Sequence, residues 1–239
     1  MPDDVATADP LDLYRSELFA LCHIGAAGEF AEYRDFLQAH YEPLGFFCGD
    51  VLPTAQSMMF AIRHCGALAA IFRLTPVADP ESRYFELVPG ARTADGHPRL
   101  LLEVNNVVIA REFRASITLG LILYHSACQA HGAGYHFVVG INRFEVLRFF
   151  VDFGVVPAEH PPLCLLGKEQ LQDFVNYYDT ADPASIAYMH ERARRYFHQE
   201  LVMRSIREKY VRPHGRLVRE RGIHTAAAAN AGMRKDAAG

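Results

Sequence analysis

The chain lacks the marks of several protein classes. No apolar run approaches the roughly 18 residues that a membrane span requires. The first ten residues, MPDDVATADP, are acidic where a secretory leader would be basic and then apolar. Charge is modest and nearly balanced: 22% of residues are charged, the formal net charge is -4 and mean hydropathy is -0.01. That balance argues against a disordered chain and against global nucleic-acid binding. The five cysteines, Cys22, Cys48, Cys65, Cys128 and Cys164, are odd in number, scattered and without a CxxC pair, which argues against a disulfide framework and a zinc site. No HExxH or HxH spacing occurs, and no metal is expected. There is no internal repeat, so solenoids and propellers drop out. The expectation is a cytoplasmic protein with reduced thiols, half of whose residues are hydrophobic, enough for the core of one large domain or of one domain plus an extension.

Glu29 to Leu44 places Phe30, Tyr33, Phe36, Leu37 and Tyr41 at steps of three and four, one face of an amphipathic helix. Ser57 to Arg63 and Ala67 to Leu74 read as a hairpin, and Arg83 to Val88 as a short strand before a loop at Pro89 to Pro98. Leu100 to Ile109 (LLLEVNNVVI) is a buried-strand pattern with one acid, Glu103, inside it. Ser116 to His131 reads as a helix covered on both sides, Tyr135 to Ile141 as a second buried strand, and Phe144 to Gly154 as a further helix. This strand-helix-strand-helix order is a βαβα unit with parallel strands. Lys168 to Tyr178 and Pro183 to Tyr210 read as amphipathic helices. The expected organisation is a flexible N-terminus at 1–13, a domain at 14–166, a basic helical extension at 167–224 and a mobile tail at 225–239.

The strand-to-helix junction Ala110 to Thr118 carries Arg111 and Arg114. Unpaired N–H groups at a helix start, with added positive charge, suit a phosphate; the alternative is a plain turn with solvated arginines. The ordered pieces Arg111-Glu112-Phe113-Arg114, Asn142 after a strand, and Phe149 to Val155 resemble the acyl-donor-binding half of the GCN5-related N-acetyltransferase (GNAT) superfamily. The resemblance covers about residues 14 to 166. It implies an α/β (α+β) fold: a mixed, mostly antiparallel sheet with a central βαβα unit and splayed parallel strands, here followed by a C-terminal helical extension.

Two departures qualify it. Ile117 and Leu119 stand where the family's phosphate loop has glycines, which weakens tight pyrophosphate binding. Phe150 stands where the family's usual acid is a tyrosine. Together with Tyr41 to Phe46, these departures resemble the branch of N-acyl amino acid synthases and acyl-homoserine lactone synthases. The former fit better, because the lactone synthases' acidic and arginine motifs are not clear here.

The resemblance implies an N-acyltransferase moving an acyl group from a carrier-protein or coenzyme A thioester to the amine of an amino acid or similar small acceptor, with no permanently bound cofactor. Glu103 corresponds to the family's general base, and a strand N–H near Val108 to the oxyanion donor. Val107, Ile109, Arg111, Arg114, Ala115, Ser116 and Asn142 would hold the donor. The alternative for Glu103 is a solvent-edge position or a pairing with Arg73 or Arg99. Phe144, Leu147, Phe150 and the helix at Ile117 to Tyr124 form either an acyl-chain pocket or ordinary core. His125 and His136 read as core or edge side chains. Residues His190 to His224 hold ten Lys/Arg against four acids. They make a solvated face, a homodimer interface, or a dock for an acidic partner such as an acyl carrier protein, for RNA or for an anionic surface. A catalytically inactive GNAT-like binding module is the rival class.

Overall fold

Met58–His64 (β2) and Ala67–Pro76 (β3) pair antiparallel around Cys65 and Gly66, whose φ angles of 51° and 83° supply the two positive values that a type I′ hairpin turn needs. The computed structural model describes residues 19–44, 56–114, 118–165 and 168–210. The expected tails at 1–13 and 225–239 lie outside them. Residues up to Phe197 form one compact unit and those from His198 a second.

The remaining strands are β1 (Phe19–His23), β4 (Leu101–Ile109), β5 (Phe137–Arg143), β6 (Val156–Pro157), β7 (Leu163–Leu165) and β8 (Lys168–Asp179). They form a sheet in the order β1-β2-β3-β4-β5-β8-β6, with β7 also on β8. Every pairing is antiparallel except β4 with β5. The helices are α1 (Ala27–Tyr41), α2 (Tyr84–Leu87), α3 (Thr118–Gly132), α4 (Phe144–Asp152) and α5 (Pro183–Tyr210). The βαβα unit is therefore present, as is the long helix from Pro183.

Two expectations are corrected. Arg83 to Val88 is not a strand; its centre is the helical turn α2, because Tyr84, Phe85 and Val88 are spaced to turn one face onto Leu101, Phe137 and Val175. Lys168 to Tyr178 is not a helix but lies in strand β8, paired with β5 from Phe137↔Asp179 to Arg143↔Asp173. Val175, Asn176 and Tyr178 are all buried, so both faces of this strand are covered and the alternation that marks an exposed strand is lost. The sheet thus continues past residue 166, and the helical region starts at Pro183.

The two faces carry different cargo. Alternation along β4 sends Leu101, Glu103 and Asn105 to the front face and Leu102 and Val104 to the back. On the front, α1 packs Tyr33 and Leu37 against Met59, Ala61, Ile71 and Val108, while α2 covers Leu101, Phe137, Val139 and Val175. On the back lies α3, buried through Leu121, Ile122, Tyr124 and Ala127. Gly120 of α3 lets the rings of Phe153 and Tyr196 come within 3.2 Å of where a Cβ would stand.

Candidate active site

β4 and β5 run together for three residue pairs, Leu101↔Phe137, Leu102↔Val138 and Glu103↔Val139, and the ladder stops there. Each strand nonetheless continues. β4 stays paired with β3 as far as Ile109, and β5 with β8 as far as Arg143. The two parallel neighbours therefore part immediately after Glu103, leaving a slot whose edges are backbone.

A bulge in β4 shapes that slot. Between Ile71 and Arg73 the register with β3 shifts, so Asn106 and Val107 face a single residue, and Asn106 adopts φ 50°, uncommon for a residue other than glycine. The extra residue reverses the side-chain parity, which is why Val108 lands on the front face against Ile71 while Val107 reaches the back.

The ladder also says which amides face the slot. Val77 N–H donates to Leu101 at 3.0 Å and Ala110 N–H to Ala69 at 2.9 Å. Alternation from these two bonds turns the N–H of Val108 toward Ile71 of β3, and turns the polar groups of Val104 and Ile109 toward the open edge. The Val104 carbonyl lies 3.6 Å from where a Cβ of Gly140 would be. The N–H of Val108, near which an oxyanion donor is expected, is thus turned toward β3, and that of its neighbour Ile109 toward the open edge.

Behind the slot, on the back face, lies an apolar pocket, partly open to solvent. Leu119, Ile122 and Leu123 of α3, Phe150 of α4 and Met189 of α5 wall it, and Val104, Val107, Gly140 and Asn142 form its sheet side. Val139 and Tyr177, which belong to the front face, also line it. The pocket therefore reaches into the gap between the strands.

On the front rim stands Glu103, half-buried. It accepts hydrogen bonds from Tyr84 Oη at 2.8 Å and from Asn105 Nδ2 at 3.2 Å. Asn105 Nδ2 also lies 3.4 Å from Thr75 Oγ1, and its Oδ1 accepts from Arg73 Nε at 2.8 Å. Burial foremost, and then the Glu103 carboxylate beside it, push the Tyr84 phenol far above its usual range, so it remains a neutral donor. Glu103 thus reaches Arg73 through an amide rather than by a direct ion pair. Tyr33 Oη, buried beneath α1, has no hydrogen-bond partner.

The sequence-derived site residues divide. Val107 and Asn142 line the pocket and Ile109 edges the slot, while Glu103 sits across the sheet from the pocket at the slot's rim. Arg111 and Arg114 are exposed just beyond β4, where Arg114 Nε donates to the Ile109 carbonyl at 3.3 Å. Ala115, Ser116 and Ile117 lie outside the described residues. His136 Nδ1 accepts from Leu100 N–H at 3.3 Å, and His125 is buried in α3. Phe150 is buried and lines the pocket. Sequence reasoning missed Tyr84, Asn105 and Gly140. Asn105 carried a signal, being two residues from Glu103 in an apolar strand. Tyr84 carried none, because a loop separates it from β4.

No protein-family model matches the sequence, and no curated protein matches it. Among solved structures, FeeM, an N-acyl amino acid synthase from uncultured soil microbes, superposes with a TM-score of 0.55 at 10% identity, covering 69% of this chain and 92% of that one. Arabidopsis thaliana NAA60, solved in complex with acetyl-CoA, superposes with a TM-score of 0.54 at 11% identity, covering 69% of this chain and 99% of that one. At such identities the likeness concerns architecture, and it agrees with the strand order, the parted parallel pair and the flanking helices: this chain has the GNAT fold.

Proposed function

We propose that this protein is an N-acyltransferase carrying an acyl group from a thioester to the amine of an amino acid or similar small acceptor. The observation that carries this reading is the β4–β5 ladder that stops at Glu103, with a carboxylate on one side of the opening and an apolar pocket on the other. A thioester arm threaded through the slot would lie along the Val104 and Ile109 backbone, with its acyl tail against Leu123, Phe150 and Met189.

Glu103 takes a proton from the acceptor ammonium, directly or through water, and the freed amine nitrogen attacks the thioester carbonyl carbon. The oxyanion that forms meets an N–H of β4 turned toward the opening, that of Val104 lying next to Glu103. Collapse makes the C–N bond, breaks the C–S bond and releases a thiolate, whose pKa of about 8.5 removes the need for a strong acid to protonate it. The phenyl ring of Phe150 is therefore compatible with turnover.

The donor is an acyl carrier protein or coenzyme A. Ile117 and Leu119 in place of glycines favour a donor without an adenosine pyrophosphate, and the basic stretch from His190 to His224 suits an acidic carrier protein. Coenzyme A would call on Arg111 and Arg114. The likeness to FeeM supports transfer to an amino acid.

The test incubates the full chain with acyl-CoA and acyl-carrier-protein donors of two to sixteen carbons and a mixture of amino acids, reading acylated products by mass spectrometry. Product formation that falls at least about a hundredfold in Glu103→Gln, with donor binding kept, supports the reading. Donor binding without product in the native protein would instead establish the non-catalytic module.

A further inference from the structure

Arg73 has an unusual setting. It is half-buried on β3, directly opposite Asn105 on β4, and its Nε is committed inward to the Asn105 side chain at 2.8 Å. Its two terminal nitrogens meet no carboxylate among the described residues. By contrast, Arg63, on the neighbouring strand β2, is ion-paired with Glu32. A partly desolvated guanidinium without an anion is costly to keep and is a ready fork for a carboxylate.

The same Asn105 side chain that holds Arg73 by its oxygen holds Glu103 by its nitrogen, at 3.2 Å. A cation and an anion are thereby fixed on the front face, separated by the width of one amide group and its two hydrogen bonds. A free α-amino acid is a zwitterion of about an amide's width, and with one hydrogen bond from each of its charges it spans a comparable gap. We infer that Arg73 binds the acceptor's α-carboxylate while Glu103 receives its α-ammonium, so that the acceptor is a free α-amino acid and not an amide, an ester, a lactone or a simple amine.

This deepens the acyltransferase reading and rests on it. The ammonium would stand at Glu103, where the strands part, and so beside the thioester carbonyl. The carboxylate would lie away from the slot over β3, on the face to which Tyr33 of α1 brings an unpartnered hydroxyl. Acceptors lacking the carboxylate would leave the Arg73 fork unpaired, which is how a polar site rejects an analogue.

The experiment compares a mixture of the twenty L-amino acids with a matched mixture of their α-carboxamides, in the native full chain, Arg73→Gln and Arg73→Lys. Binding is read by saturation-transfer NMR and turnover by mass spectrometry. The native chain is expected to bind and acylate acids about ten- to a hundredfold better than amides. Arg73→Gln should erase that preference by raising KM for the acids alone, and Arg73→Lys, keeping charge without the fork, should fall between.

The inference is overturned if amides serve as well as acids in the native chain, if neither binds, or if Arg73→Gln keeps the preference. Acids that bind Arg73-dependently without being acylated by any donor would sink the acyltransferase reading alone. The acid-against-amide comparison in the native chain needs no variant to fold.

Discussion

Tyr84 and Glu103 are 19 residues apart in sequence and are joined by a 2.8 Å hydrogen bond from a buried phenol to a carboxylate at the mouth of a parted strand pair. The phenol is kept neutral by burial and by the carboxylate itself, so the bond is a one-way donation that fixes the carboxylate's direction. Tyr84→Phe is expected to lower kcat about tenfold with KM for the thioester unchanged, and to cost about 1 kcal/mol of stability. Steady-state thiol release and thermal unfolding check both; an unchanged kcat would show that Glu103 needs no such anchor.

Gly140 faces the pocket one residue past the last β4–β5 pair, and a Cβ there would meet the Val104 carbonyl at 3.6 Å and Asn142 Nδ2 at 3.5 Å. A methyl fits at those distances, whereas a branched side chain fills the slot. Gly140→Ala is expected to retain most activity, while Gly140→Val folds with undiminished stability, valine being a better strand residue, and loses at least about tenfold in acyl transfer. A donor titration of both variants beside their melting temperatures separates a blocked slot from a damaged fold.

The Tyr33 hydroxyl is buried without a partner, a state that costs roughly 1–3 kcal/mol. Burial also drives its pKa well up, against the smaller opposing influences of Arg73 and Asn106. Removing the oxygen should therefore help: Tyr33→Phe is expected to unfold at the same or a higher temperature than the native chain. A drop of several degrees would reveal a bound water or ligand atom on that hydroxyl.

Asp182 caps α5, accepting from the N–H groups of Ala184 at 3.0 Å and Ser185 at 3.3 Å. The Ala184 amide first, then the Ser185 hydroxyl, hold its pKa below the ordinary 3.8. A depressed carboxylate contributes stability that is present above the unfolded-state pKa and is lost as pH falls through the folded-state value. Asp182→Ala is accordingly expected to melt below the native chain at pH 7, with the gap closing at pH values under 3.8. Melting curves at neutral and acid pH would expose a different origin if the gap stayed constant.

Much of this architecture was legible because local chemistry and tertiary context agreed. Cys65-Gly66 between two β-rich runs could only turn back, and the apolar run around Glu103 marked a central strand. β8 misled because Val175 and Tyr177 pack toward the front face while Asn176 and Tyr178 pack toward the back; with both sides buried, no alternation survives to distinguish strand from helix. The segment containing α2 misled because four residues are too few for a period to declare itself.

Glu103 was legible as a chemical actor: a carboxylate inside an apolar strand is a burden unless used or paired. Its setting was not. Whether it faced solvent, an arginine or a slot depended on where β5 left β4, which is after Val139, while β5 stays paired with β8 and β4, bulged at Asn106, with β3. The sequence determined which residues could carry charge into the sheet, because burial tolerances are a property of each side chain. Only the folded chain decided that Tyr84, Asn105 and Arg73 would surround the carboxylate and that the Val108 amide would be spent on β3, because strand register is a collective outcome of pairings far apart along the chain.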